Sequence, residues 1–206
     1  MQTVILLFLS TFLLAQSYPS FSKKELETIR SKNQIAKNRI LYYEENIRNL
    51  QNETKLIQLN KVNFQLNRLL PQYDSVIHHK EDIWATPKEF LTIGYGDCED
   101  YVIIKYYSLL KLGFDEKKLF LTIVKERYKG GLHMVLSYFK DKKSSPLILD
   151  NLSFRILSLA ERVDLEVIYF INNTGVYEQK SNKNLKKISY KYKEFEELKR
   201  KVAKNL

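Results

Sequence analysis

The alternation of apolar and polar positions divides the chain into a helical first third and a later part rich in strands. Between residues 23 and 67, where Gly and Pro are absent, apolar residues such as Ile47 and Leu50 recur at helical spacing. This pattern predicts one or two amphipathic helices. Residues 101–112 are apolar on nearly every side and precede Gly113, which predicts a buried helix with a glycine cap.

Four later segments are rich in β-branched and aromatic residues and are bounded by turn-forming residues, which is typical of strands. We predict strands at residues 119–125, 132–139, 147–151 and 166–171, and a helix in the basic stretch from Tyr190. Helices followed by a run of strands indicate an α+β fold. At 206 residues, the chain is expected to form one domain.

An uncharged apolar run covers residues 3–15. It is too short to span a membrane comfortably and fits the core of a secretory signal, with cleavage expected between Ala15 and Ser22. No Lys or Arg precedes the run, so an uncleaved anchor is the alternative. We therefore assign residues 1–20 to a signal peptide and residues 21–206 to an exported domain.

The formal net charge of +10 is concentrated near the C-terminus, where residues 180–206 contain ten Lys or Arg and three Glu. This basic tail either attracts an acidic partner or a membrane surface, or is a solvated amphipathic helix. Nucleic-acid binding is disfavoured, because the charge lies in a tail and export removes the usual partner. The exported domain thus comprises N-terminal helices (23–67), a core (about 68–178) and this tail.

The single cysteine, Cys98, lies where a loop ends and the predicted buried helix begins. One cysteine cannot form an internal disulfide, and no Cys-x-x-Cys zinc motif is present. Unpaired N–H groups and the positive end of the dipole at a helix start favour a thiolate. Cys98 is therefore a candidate nucleophile, and a small buried hydrophobic residue is the alternative.

Thiol catalysis needs a base, and the base needs a partner that orients it. Of the three histidines, only His133 lies on a predicted strand behind the cysteine helix, and Asp150 ends the next strand. The other two, in the segment 78–82, match no zinc-ligand spacing and are interpreted as part of a surface loop. If the two strands pair through the turn at Pro146, His133 and Asp150 come close. The alternatives are a histidine bonded to a carbonyl and an aspartate that caps a turn.

Several short motifs between about residues 62 and 177 resemble one family. They are Val62-Asn63, Trp84-Ala85-Thr86-Pro87, Gly96-Asp97-Cys98-Glu99-Asp100, Lys105-Tyr106, His133-Met134-Val135-Leu136 and Leu149-Asp150-Asn151-Leu152. Together they resemble the bacterial transglutaminase-like cysteine proteinases of the LapG type, periplasmic proteases that release large biofilm adhesins. The resemblance implies a papain-like or transglutaminase-like α+β fold, with the catalytic cysteine at a helix N-terminus packed on an antiparallel sheet.

The resemblance also implies a nucleophile (Cys98), a general base (His133) and an orienting carboxylate (Asp150). The implied substrate is the N-terminal region of a large repeat-built adhesin, cut at a small-residue site. The implied partner is the periplasmic domain of an inner-membrane receptor that is governed by cyclic-di-GMP and sequesters the protease. The lysine-rich N-terminal helices, the weak signal and the basic tail depart from the family and leave the partner contacts open.

Members of this family use calcium bound by acids around the cysteine, which corresponds here to Asp97 and Glu99, with Asp100 a weaker candidate. There is an independent physical reason for a cation: three carboxylates beside the thiol raise its pKa. A hard cation with oxygen ligands removes that penalty. The alternative is that acids in a first helical turn simply suit the dipole.

Two other functions fit the same residues. One is a different acyl-transfer enzyme on the same scaffold, a transglutaminase or an amidase. The other is an exported binding module without activity, in which Cys98 is inert and the basic tail docks an acidic partner.

Overall fold

Three helices form the N-terminal part of the protein, which a computed structural model describes over residues 18–71, 84–128, 130–141, 144–180 and 184–205. They are α1 (Lys23–Lys32), α2 (Gln34–Leu50) and α3 (Lys55–Leu66). The sequence predicts only one or two. The breaks occur because Asn33 and Thr54 act as N-caps, whose side-chain oxygens accept hydrogen bonds from the backbone N–H three residues further on.

A short helix, α4 (Pro87–Ile93), leads toward the cysteine. The Thr86 hydroxyl accepts the N–H of Glu89 at 3.3 Å, and the Glu89 carboxylate accepts the N–H of Thr86 at 2.7 Å. This capping box fixes the start of the helix. Gly94 ends it with a φ of 92°, a conformation that glycine adopts without strain.

The cysteine helix, α5 (Cys98–Lys111), is the most buried element of the fold, and every residue from Glu99 to Leu110 is buried. Just before it, β2 (Tyr95–Gly96) pairs in parallel with β1 (Leu70–Pro71). At its end, the N–H of Gly113 bonds Leu110 and the N–H of Phe114 bonds Leu109. These two bonds form a Schellman motif, so the predicted buried helix and its glycine cap are confirmed.

After a 3₁₀ turn (Glu116–Lys118), seven strands form one antiparallel sheet in the order β6-β5-β4-β3-β7-β8-β9. They are β3 (Leu119–Glu126), β4 (Leu132–Tyr138), β5 (Leu147–Asp150), β6 (Ser153–Ser158), β7 (Leu165–Asn172), β8 (Gly175–Gln179) and β9 (Leu185–Ile188). The four predicted strands correspond to β3, β4, β5 and β7. The predicted α+β class is confirmed, whereas β6, β8 and β9 were not predicted.

The main core lies between the sheet and the helices. Met134 and Leu136 on β4 belong to it, whereas Val135 between them packs with Val124 and Ile148 in a smaller cluster. Because neighbouring strand residues point to opposite faces, this smaller cluster lies on the other side of the sheet. The sheet is therefore covered by side chains on both faces.

The basic stretch near the C-terminus is partly strand and partly helix. It contains β9 and then α6 (Lys193–Lys204), whose buried residues Phe195, Leu198 and Val202 complete the main core. The predicted helix is therefore confirmed, and it is amphipathic.

Tyr18, which lies within the stretch assigned to the signal, packs in the main core. It is 1% exposed, and its ring meets that of Tyr107 edge-on at a centroid distance of 5.4 Å. The packed structure thus reaches at least to Tyr18. Most of the proposed signal lies outside the described residues and remains a prediction. Among the described helices, none is both long and apolar enough to cross a membrane.

Two asparagines of the α3 region tie the helices to the turn between β5 and β6. The side-chain amide of Asn67 donates to the carbonyl of Asp150 at 2.7 Å and to that of Ser153 at 2.9 Å. Asn63, one turn earlier, also donates to Ser153, at 2.9 Å. These amides therefore fix the position of the turn relative to α3.

We expect Asn67→Ala to lower the free energy of unfolding by about 1–3 kcal/mol, because the buried Asp150 carbonyl loses the side-chain amide that donates to it. The matched control is Asn60→Ala, since Asn60 is exposed and bonds only within its own helix. Urea unfolding followed by circular dichroism measures both. Equal effects of the two substitutions would show that Asn67 does not hold the turn.

Candidate active site

The loop before α5 is held against the helix by Asp100. One oxygen of its carboxylate accepts the backbone N–H of Ala85 at 2.8 Å. The side chain folds back so closely that a Cβ on Gly96 would lie 2.8 Å from the Cβ of Asp100. Gly96 is therefore required for this close approach, and Asp100 fixes the segment that leads into Cys98.

Trp84, just before Ala85, connects this loop to the C-terminal part of the chain. Its ring stacks on that of Tyr192 at a centroid distance of 5.5 Å, and its carbonyl accepts the Lys201 amine at 3.0 Å. The basic helix α6 therefore supports the loop next to the cysteine.

Cys98 is the first residue of α5 and is half-buried. Its thiol donates to the Glu99 carboxylate at 3.1 Å. Burial, followed by the charge of Glu99, raises the pKa of the Cys98 thiol above its usual value, and a backbone hydrogen bond from Met134 opposes this only weakly. The expectation that the helix start makes Cys98 a thiolate is therefore wrong for this arrangement, because burial and the adjacent acid outweigh the dipole.

His133 and Asp150 come together as the sequence predicts. Strands β4 and β5 pair antiparallel, with Leu136 opposite Leu149. His133 Nε2 then lies 2.9 Å from Oδ1 of Asp150. Because the carboxylate accepts, Nε2 is the nitrogen that donates in this bond. The bond fixes the tautomer and the orientation of the imidazole.

Asp150 is fully buried and remains charged because several donors surround it. Besides His133, the N–H of Leu152 donates to Oδ1 at 2.9 Å and Arg162 donates to Oδ2 at 2.9 Å. Burial opposes ionisation, but the bond from His133 and these further donors lower the pKa of Asp150 to about 2. Arg162 is held in turn by Asp164, at 2.6 Å.

Sequence reasoning did not find Arg162 and Asp164. Their only sequence signal is an Arg-x-Asp pair in the turn before β7, which many surface loops share. The pair is recognisable only once the fold places that turn beside the end of β5.

The sulfur of Cys98 lies beside β4, since the backbone of Met134, the residue after His133, hydrogen-bonds it. In the described part of the chain, the thiol bonds Glu99 and makes no direct hydrogen bond to the His133 ring. The structure thus places Cys98 next to the histidine strand, with the His–Asp pair already formed.

Two of the three acids proposed as calcium ligands, Asp97 and Glu99, lie close enough together to bind one cation. The carboxyl groups of Asp97 and Glu99 hydrogen-bond each other, and burial raises the pKa of Glu99. Two adjoining carboxyl groups provide the hard oxygen donors that calcium prefers. Asp100 instead binds the Ala85 N–H, so it suits a structural role better.

Across the described ranges, no group of three or more His, Cys, Asp or Glu side chains is arranged to hold a metal ion. A calcium ion at Asp97 and Glu99 therefore needs further oxygen ligands, from backbone carbonyls or water. The segment 78–82, with the other two histidines, lies outside the described residues.

The comparisons with known proteins agree with this geometry. A family model described as bacterial transglutaminase-like cysteine proteinase matches residues 33–165. A comparison with curated proteins returns no match.

Three structures of LapG from Legionella pneumophila are similar to the chain. The calcium-bound form is 30% identical with a TM-score of 0.73, and the match covers 86% of this chain and 98% of that one. The EGTA-treated form is 30% identical with a TM-score of 0.76, covering 89% and 99%. A third LapG structure is 33% identical with a TM-score of 0.68, covering 77% and 88%.

The family match includes Cys98, His133 and Asp150, and the structural match extends over most of the chain. The helical part, the antiparallel sheet and the cysteine at a helix start are the features that a transglutaminase-like fold requires. The chain therefore belongs to the bacterial transglutaminase-like cysteine proteinases.

Proposed function

We propose that the protein is a periplasmic, calcium-dependent cysteine endopeptidase that cleaves the N-terminal region of a large biofilm adhesin and so releases it from the cell surface. The observation that carries the catalytic part is the 2.9 Å bond between His133 and Asp150 beside the single cysteine of the chain. A buried carboxylate that orients an imidazole next to a thiol is the arrangement of a cysteine protease.

The mechanism follows from the two ring nitrogens of His133. Because Nε2 is bound to Asp150, Nδ1 is the nitrogen left to accept the Cys98 proton. The sulfur attacks the peptide carbonyl, and His133 passes the proton to the leaving amine as the C–N bond breaks. A water molecule that His133 deprotonates then hydrolyses the thioester, which releases the acid product and restores the thiol.

The start of α5 supports the negative charge that forms on the carbonyl oxygen. The first hydrogen bond within the helix runs from the N–H of Tyr101 to Asp97, at 3.3 Å. The N–H of Cys98 is therefore not used by the helix and is available as an oxyanion donor.

We expect Cys98→Ala and His133→Ala to abolish cleavage of a purified adhesin N-terminal region, and Asp150→Asn to lower kcat by roughly 10³-fold or more, because the imidazole loses its orienting charge. Circular dichroism shows whether each variant is folded. Asp115→Asn, an equivalent change at a surface cap, serves as the control. Cleavage by a folded Cys98→Ala variant at the wild-type rate would refute the mechanism.

Calcium dependence is proposed because the carboxyl groups of Asp97 and Glu99 meet beside the sulfur. Calcium held there supplies positive charge that offsets the carboxylates next to the thiol. Both calcium-bound and EGTA-treated structures of the related LapG exist, which supports a calcium site in this family.

Calorimetry on the folded protein tests the calcium site directly. We expect calcium to bind the wild type and Asp100→Asn, and not Asp97→Asn or Glu99→Gln, because only the first two proteins keep both adjoining carboxylates. Glu53→Gln, at an exposed acid, is the control. If the wild type gives no binding heat at millimolar calcium, the site does not exist.

The substrate and partner are proposed from the motif resemblance. The apolar run at residues 3–15 supports export, and the periplasm is where such an enzyme meets a surface adhesin. The proposed partner is the periplasmic domain of an inner-membrane cyclic-di-GMP receptor, which sequesters the protease.

We expect a strain that lacks the gene to retain its adhesin on the cell surface, because the releasing cut is absent. Immunoblots of culture supernatant and cell fractions measure the distribution. Complementation with the wild-type gene should restore release, and complementation with the Cys98→Ala gene should not. Normal shedding by the deletion strain would rule out this biological role.

A further inference from the structure

Four aromatic rings form a continuous row beside the active site. The row starts at Trp84, in the loop that leads to the cysteine, and the Trp84 ring stacks on that of Tyr192 at a centroid distance of 5.5 Å. The ring of Tyr192 meets that of Tyr190 nearly edge-on at 6.1 Å. Tyr190 in turn stacks on Tyr169 of β7 at 6.0 Å. The C-terminal segment 190–192 thus joins the active-site loop to the sheet.

The sheet end of this row lies level with the cysteine. Tyr169 is opposite Ile123 on β3, and Ile123 is opposite Met134 on β4. The backbone of Met134 hydrogen-bonds the Cys98 sulfur. Directly opposed residues share a face of a sheet, and here Met134 and Ile123 belong to the main core, against which both Tyr169 and Cys98 pack. The row therefore ends on the face of the sheet that carries α5.

The distance between the row and the cysteine is one that a single substrate chain spans. Neighbouring strands lie about 4.8 Å apart, so Tyr169, two strands from Met134, is displaced from it by about 10 Å across the sheet. An extended polypeptide advances about 3.3 Å per residue. A chain whose scissile bond lies at the Cys98 sulfur therefore brings roughly its third residue from that bond to Tyr169.

The outer part of the row is open to solvent and borders a cleft. Tyr190 is 52% exposed. With Tyr192 it borders a cleft of about 410 Å³, whose lining includes the apolar side chains of Ile171 and Ile188. The stack of Trp84 on Tyr192 already joins the loop to the start of α6, so support of the loop does not account for the exposed Tyr190 ring. Tyrosines with an apolar body and a hydroxyl in water are typical of surfaces that bind other molecules.

We propose that Tyr190 and Tyr169 form a substrate-binding subsite, which takes an apolar side chain of the substrate about three residues from the scissile bond. The proposal rests on the proposed protease function and adds a determinant of its specificity. The occupant is the substrate chain, because the row is continuous with the site that cleaves this chain. The stacked rings and the cleft beside them offer an apolar surface, which favours a side chain such as leucine.

The test measures how fast peptidyl epoxysuccinates alkylate Cys98. Because the epoxide bonds to the sulfur, it fixes the position of the attached peptide, and two series extend the peptide from either side of the epoxide. Each peptide consists of alanines with one leucine, which is moved from the first to the fifth residue. The proteins are the wild type, Tyr190→Ala and Tyr190→Phe. The matched control is Tyr42→Ala, since Tyr42 on α2 is 51% exposed.

In one of the two series, we expect leucine at about the third residue to lower the KI of the wild type by about 5–10-fold relative to alanine, because the rings cover part of the leucine side chain. Tyr190→Ala should lose this gain with kinact unchanged, since the ring contacts only the remote residue of the probe. Tyr190→Phe keeps the ring and should keep the gain, as should Tyr42→Ala. Iodoacetamide, which carries no peptide, should alkylate all four proteins at the same rate.

The proposal is overturned if leucine gives no gain at any position, or if a folded Tyr190→Ala protein keeps the gain. Should that variant not fold, Tyr190→Thr is measured in its place, with the same expected loss. A wild type that is dimeric in analytical ultracentrifugation, with a monomeric Tyr190→Ala, would assign the ring to a contact between two copies and would also overturn it.

The iodoacetamide rate separates failure of the subsite from failure of the protease. If iodoacetamide alkylates Cys98 but leucine gives no gain, the nucleophile stands and only the subsite is refuted. If neither iodoacetamide nor any epoxysuccinate modifies Cys98, the proposed protease function fails, and the subsite fails with it.

Discussion

The site depends on keeping the Asp150 carboxylate ionised while it is fully buried. A buried carboxylate stays ionised when hydrogen-bond donors surround it, and here they come from separate parts of the fold: His133 from β4, Leu152 from the following turn and Arg162 from the turn before β7. The Asp150 carbonyl is held from a fourth direction by Asn67, at the end of α3. One buried residue, through its carboxylate and its backbone carbonyl, thus links the helical part, two strands and a turn.

Much of the fold was predictable because its strongest signals are local. The uninterrupted apolar run of α5 and its glycine cap predict a buried helix, and β3, β4, β5 and β7 carry the β-branched and aromatic residues typical of strands. The remaining strands are weaker signals. Residues 153–158 include Arg155, two serines and a leucine, and they lie on a half-exposed edge of the sheet. Residues 185–188 contain two lysines. The strand structure of both segments therefore comes from pairing with a neighbouring strand.

The candidate site was predictable in part. Its three principal residues follow from residue type and order, since the chain has one cysteine and only one histidine on a predicted strand. The groups that set their chemistry were not predictable, because they depend on distances across the fold. Arg162 lies 12 residues after Asp150, and no local pattern connects the two. The raised pKa of Cys98 likewise follows from burial, which the helix dipole argument leaves out.

The lysines of β9 affect how the edge of the sheet interacts with other molecules. Among the described strands, β9 lies at one edge of the sheet and pairs with β8 alone. Lys186 and Lys187 are both exposed on this short strand. Positive charge on an outer strand repels a second copy of the same strand, which prevents the sheets of two molecules from joining edge to edge. Part of the basic tail therefore protects the protein against aggregation.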